Sequence, residues 1–127
     1  MLLEYKLSTL KENFYNITSQ IRKSIIKSVI TDGITVVPCP HTTAGSTLNE
    51  NAVPDMLLGL DKALPYRAEF CHGEGNSEAH LKANAAWSGV TVINADDKPV
   101  LGTWRGIYFC EFGLPKNRKF YAKMVQG

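Results

Sequence analysis

Ile17, Ile21, Ile25 and Val29 recur every four residues, with Ile26 and Ile30 beside them and Arg22, Lys23 and Lys27 off that face. This is the apolar stripe of a helix beginning at Thr18, a candidate N-cap, with Gly33 just past its end after Asp32. Its β-branched content is high, so packing rather than intrinsic propensity must hold it. The rest of the chain therefore has to supply a surface against which that stripe can be buried.

Strands supply it. Residues 2–8 alternate and 13–17 form a second short run. Residues 34–37, all β-branched, read as a strand covered on both faces. Pro54 opens a second helix with Met56, Leu57, Leu60 and Leu64 on one side and Pro65 as its stop. Residues 66–70 suit a short strand, 71–80 a glycine-containing loop, and 77–87 a helix capped by Ser77. Strands are expected over 89–95 and 100–112, with a turn at 96–99 and a hairpin loop at 113–118. The final run alternates Phe120, Ala122 and Met124 against Lys119, Tyr121 and Lys123. The sum is a strand-rich α+β domain with two or three short helices.

With 127 residues and no repeat or linker, one domain is expected, large enough to form a core without disulfides. Cys39, Cys71 and Cys110 are odd in number, widely spaced and form no C-x-x-C pair, which fits a reducing compartment. The N-terminus lacks a signal-peptide pattern and no apolar run approaches the roughly 18 residues of a membrane span. A soluble cytoplasmic protein without a membrane partner is expected. The net charge of +2 gives no basic stripe, which argues against nucleic acid yet suits a small anionic ligand.

The chemistry centres on polar segments. His41 follows a buried strand and opens a run of hydroxyl, glycine and Asn-Glu-Asn residues from 42 to 51; His72 and His80 bracket a glycine-containing loop. Three imidazoles are the ligand set of one open type of zinc site, but each is equally at home as a satisfied hydrogen-bonding group, and the spacing alone does not make them converge. Glu74 and Glu111 are the candidate proton carriers. Alternation puts Ile107, Phe109 and Glu111 on one face of a strand, so Glu111 is either at the sheet rim in water or buried with a partner; burial would raise its pKa. Arg105 shares that face but stands roughly 20 Å along the strand. Arg118 begins the apolar face of the last strand, so its head group can point inward at one end of the sheet; with Lys116 and Lys119 it makes the hairpin an anion-binding candidate or a solvated tip. Cys39 and Cys110 read as buried hydrophobes, and Ser46 has no nucleophile-elbow context.

The segments HTTAGSTLNEN, HGEGNSEAHLKA and GTWRGIYFCEFG, in this order, resemble the YjbQ family over nearly the whole chain. The resemblance implies an α/β sandwich assembling as a homotrimer, and a link to secondary thiamine-phosphate synthase activity. Its histidine blocks fall on His41, Thr42 and Thr43, and on His72, Glu74, Asn76 and His80; its N-E-N block falls on Asn49, Glu50 and Asn51. Its G-T-W-Q block is met by Gly102, Thr103 and Trp104, with Arg105 where glutamine is usual. The resemblance thus implies a divalent metal, zinc first, on His41, His72 and His80, with Glu111 or Glu74 moving protons. It implies a small phosphorylated ligand among Thr42, Thr43, Ser46, Asn49, Asn76, Thr103, Arg105 and Arg118, in a pocket that a trimer can build across an interface. The expected function is a small metal-dependent enzyme; the alternatives are a ligand- or metal-binding trimer without turnover, and a purely structural trimer.

Overall fold

The computed structural model describes residues 2–50 and 53–127, so Asn51 of the Asn-Glu-Asn block lies outside the described residues. Among the described residues, eight strands and three helices follow the order β1 (Leu2–Thr9), β2 (Asn13–Asn16), α1 (Thr18–Ser28), β3 (Gly33–Pro38), β4 (Ala44–Glu50), α2 (Val53–Ala63), α3 (Ser77–Ala85), β5 (Gly89–Ala95), β6 (Lys98–Pro99), β7 (Arg105–Glu111) and β8 (Lys116–Gln126). They form two antiparallel sheets, β1-β8-β3-β5-β6 and β2-β7-β4.

The helical stripe and the sheet alternations meet in one core. Ile17, Ile21 and Ile25 pack with Val37, Val90, Val92, Phe120, Ala122 and Met124 of the five-stranded sheet and with Ile107 and Phe109 of β7. The alternate residues of β7 point the other way: Tyr108 and Cys110, with Phe112 beyond the strand, pack with Phe14, Ala79, Leu57, Leu60 and Ala83, where α2 and α3 lie. The three-stranded sheet is thus covered on both faces, which accounts for the unbroken burial from Gly106 to Phe112.

The start of α1 is stitched to β7. Ile17 N–H donates to Ile107 O at 2.9 Å, and Ile107 N–H donates to Thr18 Oγ1 at 2.9 Å. Asn16, rather than Thr18, holds the first turn, its Oδ1 accepting from Thr18 N–H at 3.0 Å. The helix closes on Val29 in the left-handed region, φ 54°, which turns that side chain out to solvent, so the buried stripe stops at Ile25. Gly33 is no helix cap. It opens β3 where a Cβ would sit 2.0 Å from Val125 O, so the glycine permits the β3–β8 approach.

Four further sequence expectations are corrected. Residues 44–50, read as part of a polar loop, form β4; Gly45 leaves room for α3, since a Cβ there would come within 2.9 Å of Trp87 O and 3.1 Å of Ala86 Cβ. Residues 66–70 form no strand and include a turn. The strand expected over 100–112 begins only at Arg105, while Lys98–Pro99 folds back on β5 as β6. That hairpin turns on Asp96 and Asp97, both at positive φ (52° and 61°), the geometry whose twist matches the flanking strands. Ser77 is likewise the first residue of α3 and not its cap, a position taken by Asn76.

Candidate functional site

Where the two sheets meet at the β1–β2 end, the inward row of β8 (Met124, Ala122, Phe120) finishes on Arg118, and the inward row of β7 (Ile107, Phe109) finishes on Glu111. The sheets thereby bring the two charges together. Arg118 Nε donates to Glu111 Oε1 at 2.7 Å, and Arg118 Nη2 forms a second, short bond to Oε2. Thr9 Oγ1 donates to Oε1 at 2.6 Å, Gly113 N–H donates to Oε2 at 3.0 Å, and Arg118 Nη2 reaches Thr43 Oγ1 at 2.8 Å. Glu111 is 0% exposed and Arg118 5%. Burial alone drives the carboxyl pKa upward, but the hydrogen bonds from Arg118, Thr9 and Gly113 outweigh it and hold the group below its ordinary value. The rim reading of Glu111 is therefore overturned, and so is the expected rise on burial: both oxygens are occupied and the group stays ionised. Arg118 is correspondingly not a free anion binder at a hairpin tip. Thr43, also buried, belongs to this network, and Thr9, which no motif singles out, completes it.

The histidines take a different arrangement. Gly75, at φ 69°, closes a turn whose N–H donates to His72 O at 3.0 Å, and Asn76 then opens α3. This local path folds His72 back on His80, with ring centroids 4.7 Å apart and edge to face. The pair borders a depression of about 290 Å³ with Phe70, Ser77, Leu81 and Asn84. His80 and Asn84 also border a second depression, about 310 Å³, with His41, Thr42 and Ser88. His41 itself packs edge-on to Phe109, centroids 6.3 Å apart, and its Nε2 lies 2.9 Å from the Lys119 nitrogen. Burial, then the nearby Arg118 charge, lowers its pKa. Among the described residues no group of three or more His, Cys, Asp or Glu side chains is placed to hold one metal ion. The chain brings His72 to His80 but does not close the triad.

The remaining candidates are dispersed. Ser46 is 0% exposed in β4, with its hydroxyl unpartnered. Asn49, Thr103 and Arg105 border a third depression with Glu50 and Trp104, the last 76% exposed. Glu74 and Asn76 border a fourth, with Glu12, Glu78, Leu10 and Leu114. Beneath it, buried Lys82 binds Glu12 at 2.8 Å and also Asp61, joining α3 to the β1–β2 connection and α2. Cys39 and Cys110 are buried free thiols whose pKa burial raises, while Cys71 is exposed and free.

The family profile described as UPF0047 protein YjbQ-like matches residues 4–127. The chain belongs to the YjbQ-like UPF0047 family. A UPF0047 protein of Methanocaldococcus jannaschii is 45% identical over 98% of this chain and 94% of its own length. The crystal structure of a YjbQ/UPF0047 family protein of Clostridium acetobutylicum, described as uncharacterised, superposes with a TM-score of 0.92 at 45% identity, covering 97% of this chain and 99% of that one. A YbjQ-like protein of Sulfolobus solfataricus, described as of unknown function, has the same fold at a TM-score of 0.95 and 24% identity, over 100% and 97% of the two chains. Among the described residues of this YjbQ-like chain, no helix is long and apolar enough to cross a membrane.

Proposed function

We propose that the protein is a small metal-dependent enzyme acting on a phosphorylated small molecule, with the cleft of His72 and His80 as its centre. The observation that carries this reading is the contact of those two rings, 4.7 Å between centroids, at the border of two depressions. Two imidazoles presented together suit a borderline cation such as zinc and leave its other positions open. His72 and His80 would hold the ion, which supplies a Lewis acid or an activated water when bound. Thr42, Asn84 and Ser88 offer hydrogen bonds to ligand oxygens from the adjoining depression. Glu74, exposed on the span between the two histidines, is the carboxylate free to exchange protons with solvent; Glu111 is sealed around Arg118.

Asn49, Thr103 and Arg105 border a separate depression in the same chain. A site that uses their charge and hydroxyl groups on a phosphate therefore needs a second copy, which is the role proposed here for a homotrimer. Secondary thiamine-phosphate synthase activity fits this substrate class, since loss of pyrophosphate calls for charge neutralisation on the leaving group. The domain is far smaller than a phosphate-binding barrel of about 250 residues.

A second reading, a ligand- or metal-binding module without turnover, is favoured by one observation: no carboxylate borders either histidine depression among the described residues. Metal analysis of protein purified without a histidine tag tests the centre. Stoichiometric zinc is expected, with loss in His72→Ala and His80→Ala; metal-free wild type after zinc loading would sink it. Glu74→Gln separates the two readings, since retained binding with lost turnover identifies an enzyme.

A further inference from the structure

We infer that His41 is not a metal ligand but a fixed hydrogen-bond donor, held as the Nδ1–H tautomer, for an oxyanion in the depression it shares with His80, Asn84 and Ser88. β8 pairs with β1 from Lys116 to Lys123 but with β3 only from Lys123 to Gln126. Before Lys123 the second edge of β8 has no strand of the described residues beside it, and the imidazole of His41 stands there against Lys119. Lys119 N–H donates to His41 Nε2 at 2.9 Å. The same nitrogen lies 3.1 Å from Lys119 O, a contact that would require Nε2 to carry a proton. One ring nitrogen cannot do both. The amide hydrogen is fixed by the strand and aimed at Nε2, and a second hydrogen on Nε2 would crowd it, so the shorter contact decides. A neutral imidazole that accepts at Nε2 carries its hydrogen on Nδ1.

A ligating imidazole does the reverse: it gives a lone pair to the metal and donates with its other nitrogen. His41 has no such lone pair left. Its Nδ1 makes no hydrogen bond among the described residues. The edge contact with Phe109 fixes the ring plane. The charged groups that act on it are Arg118 and Lys116, opposed by Glu111, with Arg118 itself paired to Glu111. Burial and those cations keep the ring neutral near pH 7, with the donor in place. The ligand class rests on the reading of the adjoining cleft as a phosphate-ligand site; the tautomer does not.

The test uses the full chain labelled with ¹⁵N-histidine. Long-range ¹H–¹⁵N spectra at pH 7.5 are expected to show His41 with an unprotonated Nε2 and a protonated Nδ1. Inorganic phosphate should shift that Nδ1 resonance, and should bind about fivefold more weakly to His41→Ala, the loss of one hydrogen bond, with recovery in His41→Asn, whose amide stands near the Nδ1 position. Zinc stoichiometry should be unchanged in His41→Ala while falling in His72→Ala. An Nε2–H spectrum, loss of zinc in His41→Ala, or no response to phosphate overturns the inference. If the wild type binds no zinc, the metal centre fails, and the tautomer and phosphate measurements still decide the role of His41.

Discussion

Glu111 of β7 and Arg118 of β8 reach each other from two different sheets, 2.7 Å between Oε1 and Nε, and the pair is sealed from water. Four hydrogen bonds end on the one carboxylate. It acts as a clasp at the end of the sandwich, and removing either half strands a charge. Glu111→Leu or Arg118→Met should each cost about 3–5 kcal/mol, while the two combined should recover most of that loss. Urea unfolding midpoints of the four proteins close the cycle; additive losses would show that the two residues do not act as a pair.

The same clasp sets an acid limb. The folded pKa of Glu111 lies below its ordinary value of 4.5, so its contribution is complete above that value and is lost as the pH falls through the lower folded value. His41 is also depressed, from 6.5, so its contribution is complete above pH 6.5 and declines below it. Stability measured against pH should fall in these two windows, and His41→Gln should flatten only the upper one.

Ser46 buries a hydroxyl with no partner. Ser46→Ala should leave stability unchanged or raise it by about 1 kcal/mol, since it removes a desolvated polar group without opening a large cavity. A loss of more than about 1 kcal/mol in thermal unfolding would reveal a partner for that oxygen.

Lys82 ties Glu12 and Asp61 together, but Asp61 is 54% exposed and Glu12 31%, so solvent screens both contacts. Lys82→Met should cost about 1–2 kcal/mol, less than a fully buried pair. Hydrogen exchange should quicken in α2 and in residues 10–12 ahead of the rest of the chain.

Asp97 holds a positive φ of 61° at the second turn position between β5 and β6. Asp97→Gly removes the Cβ penalty and should stabilise by about 0.5–1 kcal/mol, read as a higher melting temperature.

Much of this architecture was written in period alone. The four-residue spacing from Ile17 to Ile25 and the alternation of 107–112 and 118–124 give the core faces that the structure shows. β4 escaped notice because it is built from small and polar residues, whose burial comes from the neighbour that Gly45 admits. The fate of Glu111 was illegible for a related reason. Its partner is seven residues away in sequence but on the other sheet: the alternation of 118–124 already turns Arg118 inward, but only the meeting of the two sheets sets it against Glu111. The histidine pair follows from a local turn, whereas the separation of His41 depends on where β3 leaves β8, which no spacing rule reports.

The turn through Gly75 sets the spacing of His72 and His80 within nine consecutive residues, while His41 is anchored to a different sheet. The two neighbouring rings therefore form a unit that can ride with the start of α3. A slide of that helix along β4 would change the gap between His80 and His41 while the turn keeps the two rings together, so the depression that His80 and His41 share would change width without parting the pair.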